Sequence, residues 1–161
     1  MRKLRILSRG AKYHVTARIN RGEFALETAV IKNLFLHTIK RAKKKYSFSL
    51  FNFVIMSNHI HLIIKPQGDE NLSAIMQWIL SVFAVTYNKR YNIHGHLWQD
   101  RFKSKVISSI EQLIATHRYI NDNPIKAELC TDSRNFIWSG MWYISHNIYT
   151  FLEPPEDGIL T

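Results

Sequence analysis

Two histidines one residue apart, His59 and His61, sit in an otherwise apolar run, Val54-Ile55-Met56-Ser57-Asn58-His59-Ile60-His61-Leu62-Ile63-Ile64, and that placement restricts what the segment can become. Side chains two residues apart on an extended strand project from one face, so both imidazoles point one way while Ile60, Leu62 and Ile64 point the other. The apolar face asks for a covering layer. The opposite face then carries a convergent imidazole pair suited to a divalent metal, although strand histidines are also compatible with a purely structural role.

The flanking segments define the frame around that strand. Tyr13 to Ile19 carries β-formers with partial alternation and predicts a first strand, closed by the turn-prone Asn20-Arg21-Gly22. From about Glu27 to Lys44, Ile31, Leu34, Phe35, Ile39 and Ala42 recur at three- and four-residue spacing, which predicts an amphipathic helix with a basic end. Ser47 to Met56 has apolar residues on both alternating faces, Phe48, Leu50 and Val54 against Phe51, Phe53 and Ile55, as expected of a central strand covered on both sides. Ser57-Asn58 turns it into the histidine strand. After Pro66-Gln67-Gly68-Asp69-Glu70, Asn71 can cap a second helix striped by Leu72, Ile75, Met76, Ile79, Leu80, Phe83 and Tyr87. A polar and aromatic connection leads to a fourth strand, Phe102 to Ile107, whose alternation sets Lys103 and Lys105 on one face. The order strand, helix, strand, strand, helix, strand predicts an α+β fold of the ferredoxin-like, split βαβ kind: an antiparallel sheet, two helices on one face, the other face free for a ligand or a further helix. One domain spanning 1–161 is expected, with a catalytic core at about 10–127 and a C-terminal extension at about 128–161.

A further helix follows. Ser108 with Glu111, or Ser109 with Gln112, makes a capping-box start, and Ile110, Leu113, Ile114, His117 and Ile120 share an apolar stripe. At about 100° per residue Tyr119 falls on the opposite side, with Gln112 and Thr116. A tyrosine acting as core filler would join the stripe; this one is expected to meet solvent or substrate. Pro124 biases Asn123 away from helical geometry, so the helix is expected to end near there.

The chain carries 22 Lys and Arg against 12 Asp and Glu, a formal net charge of +10, which favours a polyanionic partner, nucleic acid first. Lys40-Arg41 with Lys43-Lys44-Lys45 forms one basic block, and Arg101, Lys103 and Lys105 could track a phosphate backbone, while Trp98 could stack on an unpaired base or pack against the domain. His94 and His96 make a second His-x-His, but in a polar loop around Gly95. The single cysteine, Cys130, excludes an internal disulfide framework and a thiolate metal cage, and is read as apolar filler in a chain suited to a reducing cytoplasm. No apolar run approaches the ~20 residues that cross a bilayer, so no membrane partner is expected. Near the C-terminus Phe136, Trp138, Trp142 and Tyr143 suggest a packing cluster, and Pro154-Pro155-Glu156-Asp157 a loose tail.

Four stretches, taken in order, carry a resemblance: Tyr13-His14-Val15-Thr16-Ala17-Arg18, Met56-Ser57-Asn58-His59-Ile60-His61-Leu62, Gly95-His96-Leu97-Trp98-Gln99-Asp100-Arg101-Phe102-Lys103-Ser104 and Arg118-Tyr119-Ile120-Asn121-Asp122-Asn123-Pro124-Ile125-Lys126-Ala127. Together they resemble the HUH single-tyrosine transposases, especially the REP-associated tyrosine transposase branch, with Ser57 standing where many relatives have Pro. The resemblance implies that His59 and His61 ligate a metal, Mg²⁺ or Mn²⁺, and that Tyr119 is the nucleophile. Related insertion-sequence transposases complete the metal site with a Gln four residues after the tyrosine, a position held here by Asn123. The implied reaction is strand cleavage of single-stranded or hairpin-forming DNA through a 5′-phosphotyrosine link, with rejoining that needs no ATP, and the implied assembly is a homodimer. Lys43, Lys44, Lys45, Trp98, Arg101, Lys103 and Lys105 are the expected DNA contacts. A phenol with a pKa near 10 is a poor nucleophile at neutral pH, which is why such chemistry wants a metal beside the scissile phosphate. Two rivals remain: a domesticated relative that grips a DNA or RNA hairpin without cutting it, and a hydrolytic nuclease that uses the histidines but not the tyrosine.

Overall fold

The computed structural model describes residue 8, residues 10–156 and residues 158–159; the basic start of the chain and Asp157 of the expected tail lie outside the described residues. Four strands, β1 (Lys12–Arg18), β2 (Phe48–Ile55), β3 (His59–Pro66) and β4 (Lys103–Ile107), form one antiparallel sheet in the order β2-β3-β1-β4. β3 is inserted between β1 and β2, which is the split βαβ arrangement expected from the order of elements. Helices α1 (Ala29–Lys45) and α2 (Leu72–Tyr91) cover one face, and α3 (Ile110–Lys126) packs on the other.

Alternation sorts the side chains into two cores. Val15, Ala17, Ile60, Leu62 and Ile64 are buried against Phe35 and Ile39 of α1 and Ile75, Ile79 and Phe83 of α2. Burial of each Val, Leu, Ile or Phe among them contributes about 1.5–3 kcal/mol, enough to fix which face of the sheet turns inward. A smaller core forms behind it, where Val54, Met56 and Ile63 meet Leu113 and Ile120 of α3 together with Phe136 and Ile159.

β2 departs from strict alternation. Leu50 pairs with Ile64 but Asn52 pairs with Ile63, so a β-bulge takes Phe51 out of register. One extra residue reverses the direction of everything after it. Phe53 and Ile55 therefore join Phe48 and Leu50 in the main core instead of opposing them, while Val54 moves to the core under α3.

The helix ends follow from local chemistry. Thr28 caps α1 by accepting from the Ile31 amide, so the helix starts two residues later than Glu27, and the Asn71 side chain caps α2 through the amides of Ser73 and Ala74. At α3, Ser109 is the cap and accepts from the Gln112 amide at 3.1 Å, while the Gln112 carboxamide accepts from the Ser108 amide at 2.8 Å. The expected end near Asn123 does not occur: α3 continues through Pro124 to Lys126. Pro124 is buried on the same side as Ile120, and the amides of Ala127 and Leu129 bond the carbonyls of Asn123 and Pro124, so packing and closure of the last turn outweigh the local bias.

The C-terminal extension lies along the outer edge of β2. The Ile55 amide donates to Trp138 O, Val54 and Ser139 form a bridge, and the Glu153 amide donates to Leu50 O, which covers part of an edge that would otherwise present unpaired backbone groups. A short helix, α4 (Gly140–Ser145), begins where Gly140 approaches Asn52 so closely that a Cβ would collide with it. Tyr143 packs on Phe53 and Phe151, and Trp138 on Phe136. Phe151, Leu152 and Ile159, which flank the expected tail, are buried, and within it Glu156 pairs with Lys12. Cys130 packs half-buried beside the second core. Among the described residues no helix is long and apolar enough to cross a membrane.

Candidate active site

Strand pairing brings three imidazoles together. Thr16 faces His61 and Arg18 faces His59 across the β1–β3 ladder, while Lys103 and Lys105 of β4 stand opposite Thr16 and His14. Directly opposed residues project to the same side. One face of the sheet thus presents His14, Thr16 and Arg18, His59 and His61, and Lys103 and Lys105, next to α3.

His61 is only 2% exposed. Its Nδ1 lies 3.0 Å from Thr16 Oγ1 and 3.0 Å from His14 Nε2, and its Nε2 is buried without a hydrogen-bond partner among the described residues. Burial, then the neighbouring His59, His14 and Arg18, pushes its pKa down to about 3, so the ring is neutral at physiological pH, the form that ligates metals. Burial also lowers the pKa of His59, opposed by its contact with Asn123, and that of His14, where Lys105 adds to the effect.

His59 is held from both sides: its Nδ1 is 2.7 Å from Asn58 Oδ1 and its Nε2 is 3.3 Å from Asn123 Oδ1. The Asn123 amide is oriented by its Nδ2, which donates to Tyr119 O at 2.8 Å, so its oxygen is the atom turned toward His59. In the tautomer whose Nδ1–H donates to Asn58, the neutral ring turns an Nε2 lone pair toward the Asn123 oxygen, so that two acceptors face each other. A cation at that point would satisfy both. Together with the orphaned His61 Nε2, these two imidazoles and one amide oxygen are donors of the kind that could hold a divalent metal. His14 is turned to the Nδ1 side of His61, and among the described residues no group of three His, Cys, Asp or Glu is arranged as a metal site.

Tyr119 projects from α3 over this cluster. It is 46% exposed, with its ring edge-on to His61 at 5.3 Å and to His14 at 5.9 Å between centroids, and Lys126 Nζ lies 5.8 Å above it. On the β4 side Tyr119 and His14 border a cleft of about 410 Å³ that also includes Lys105. α3 is seated from below by Asn52, whose Nδ2 donates to His117 Nδ1 at 3.1 Å and to Asn121 Oδ1 at 3.0 Å.

His59, His61, Asn123, Tyr119 and Lys105 are thus gathered in one place. Arg101 and Lys103 line a small adjoining recess with Arg18. Lys43, Lys44 and Lys45 are not gathered there: they end α1, Lys43 Nζ donating to Phe48 O, and Phe48 pairs with Pro66, five residues along β3 from His61 and so roughly 16 Å away. Trp98 is pinned by its indole N–H to Leu80 O at 2.9 Å with its ring against Phe35 and Phe83, although it also borders a surface groove with His96 and Arg101. His94 and His96 are exposed in their loop. His14, Thr16 and Asn58 were not singled out from the sequence as site residues; the alternation of Lys12, His14, Thr16 and Arg18 along β1 was the signal for the first two, and Asn58 left none.

The pattern of the IS200-like transposases matches residues 8–123, from the approach to β1 through Tyr119 and Asn123. No curated protein matches. Among solved structures, a REP-associated tyrosine transposase bound to a REP hairpin is similar at 20% identity, with a TM-score of 0.75 over 97% of this chain and 93% of that one. A protein of Deinococcus radiodurans R1 described as a transposase is similar at 15% identity, with a TM-score of 0.53 over 76% of this chain and 97% of the other. Identities this low speak for the fold; the family pattern covers most of the chain, and on it the protein belongs to the IS200-like transposase family.

Proposed function

We propose that this transposase cuts and rejoins single-stranded DNA beside a hairpin through a covalent bond to Tyr119, assisted by Mg²⁺ or Mn²⁺. The observation that carries the reading is an exposed phenol 5.3 Å from an imidazole whose buried Nε2 has no partner among the described residues. His59 Nε2, His61 Nε2 and Asn123 Oδ1 would hold the metal, which when bound polarises the scissile phosphate. Asn58 and Thr16 lie beside the two Nδ1 atoms and, by occupying them, would leave both Nε2 lone pairs to the metal. Tyr119 Oη attacks phosphorus and releases its proton to solvent, the P–O3′ bond breaks, and the departing oxygen takes a proton to become a 3′-hydroxyl. A phosphotyrosine remains on the 5′ side of the next nucleotide, and attack by a 3′-hydroxyl reverses the step with the bond energy conserved.

Arg18, Lys103 and Lys105 share the face of the histidines and would hold the strand's phosphates. Support for a hairpin comes from the solved neighbour of the same fold, which is bound to one. The protein would act as a homodimer in which each copy carries its own complete site, since Tyr119 and His61 come from one chain; light scattering with and without DNA tests this. A protein that only grips DNA would need none of the convergence of Tyr119 on the histidines. The test is a denaturant-resistant protein–DNA adduct formed with a hairpin substrate and Mn²⁺. Tyr119→Phe should abolish the adduct, and His59→Ala with His61→Ala should abolish metal-dependent cleavage. An adduct that survives Tyr119→Phe, or cleavage that survives the loss of both histidines, overturns the reading.

A further inference from the structure

The cleft on the β4 side of Tyr119 has no part in the chemistry above, yet it opens directly onto the attacking phenol. Its volume is about 410 Å³, and its walls are apolar, Ile107 from β4, on the α3 side of the sheet, and Ala115 from α3. Polar groups mark the rim. Gln112 Oε1 is occupied by the Ser108 amide and hydroxyl, at 2.8 and 3.0 Å, which fixes the carboxamide and leaves its Nε2 as a donor with no partner among the described residues. The Thr116 hydroxyl donates to Gln112 O at 2.7 Å and so offers its oxygen as an acceptor. Lys105 supplies a cation at the same rim, across the sheet from His14.

Two apolar walls, a donor beside an acceptor, and a cation match the chemistry of one nucleotide: a flat heterocycle with a mixed hydrogen-bonding edge and a phosphate. A base in a duplex has its edge and both faces already occupied, so only an unpaired one can enter. We propose that this cleft is a subsite for one unpaired nucleotide next to the phosphate attacked by Tyr119, the base lying between Ala115 and Ile107, its edge met by Gln112 and Thr116, and its phosphate turned toward Lys105. The inference rests on the tyrosine reading given above and extends it to a source of base selectivity at the cut.

The probe is a hairpin oligonucleotide with single-stranded flanks carrying 4-thiothymidine at each flank position in turn, and at one stem position as a control. It is irradiated with the full chain, and crosslinked peptides are identified by mass spectrometry. One flank position is expected to crosslink within 105–119, and Ala115→Phe, which fills the cleft from an exposed position, should cut that crosslink about tenfold while crosslinks from the stem persist. Gln112→Ala leaves the Ser109 cap in place and should change which base at that position supports the Tyr119 adduct. Crosslinks that fall outside the cleft, or that ignore Ala115→Phe, overturn the subsite even where the adduct forms. Cleft crosslinks without any adduct overturn the tyrosine chemistry and leave the subsite standing. A protein that binds none of the flanked hairpins overturns both.

Discussion

Asn52→Ala should loosen the seating of the helix that carries Tyr119. Asn52 is 0% exposed at the bulge of β2, and its carboxamide meets three partners: His117 Nδ1 at 3.1 Å, Asn121 Oδ1 at 3.0 Å and the Phe53 amide at 2.8 Å. Truncation strands the His117 nitrogen and the Phe53 amide in a dry interior, at about 1–3 kcal/mol each. Asn121 is half-buried and can turn to water, so its loss adds less. The vacated volume adds a cavity cost only as far as the α4 start at Gly140 fails to settle into it. The sum is about 4 kcal/mol, a large part of the ~5–15 kcal/mol that holds a domain together. Urea unfolding at pH 7, followed by tryptophan fluorescence and checked for an unchanged m-value, measures it. A double-mutant cycle with His117→Phe should return a coupling of about 1–2 kcal/mol. A loss below about 1 kcal/mol would refute the reasoning, because His117 and Asn121 would then have other partners and Asn52 would not set the rotation of α3. His117 and Asn121 lie two residues before and after Tyr119, so that rotation decides where the phenol points.

Stability should also depend on pH through His117, which burial, then Lys12, holds down to about 4 against an ordinary value of 6.5. Between those two values the unfolded chain binds the extra proton, so stability is full above 6.5, falls as pH drops through the window by up to about 3 kcal/mol, and levels off below it. The urea midpoint should therefore be lower at pH 4.5 than at pH 7, with a smaller difference in His117→Leu; equal dependence in both proteins would assign the proton uptake elsewhere. Gly140→Ala drives a methyl into Asn52 Oδ1 and to 3.0 Å from the Phe53 amide, and should cost about 1–3 kcal/mol in thermal unfolding. An unchanged Tm would mean that the start of α4 lifts off β2 freely.

What could be read from the residues alone was whatever depends on local period. A spacing of two puts His59 and His61 on one face wherever the strand goes, and a spacing near 3.6 puts Tyr119 opposite Leu113 and Ile120 wherever the helix packs. The bulge at Phe51 escaped because both faces of β2 are apolar, so alternation carries no phase there and one inserted residue leaves no trace. The persistence of α3 past Asn123 escaped for a different reason: the bias imposed by Pro124 is local, while the burial of Ile120 and Pro124 that overrides it depends on a sheet built more than fifty residues earlier. Charge shows the same limit. The alternation of β4 sets Lys103 and Lys105 on the histidine face once β4 pairs with β1, but the period within α1 says nothing about which end of the sheet Lys43, Lys44 and Lys45 will reach, and they end near Phe48. Strand order is what converts a face into a site. With β3 beside β1 and β1 beside β4, His61 gains Thr16 and His14 at 3.0 Å and Tyr119 gains a cleft with Lys105 on its rim. With β1 and β2 as neighbours instead, the same faces would carry the same residues, and the histidines would stand apart from the cations.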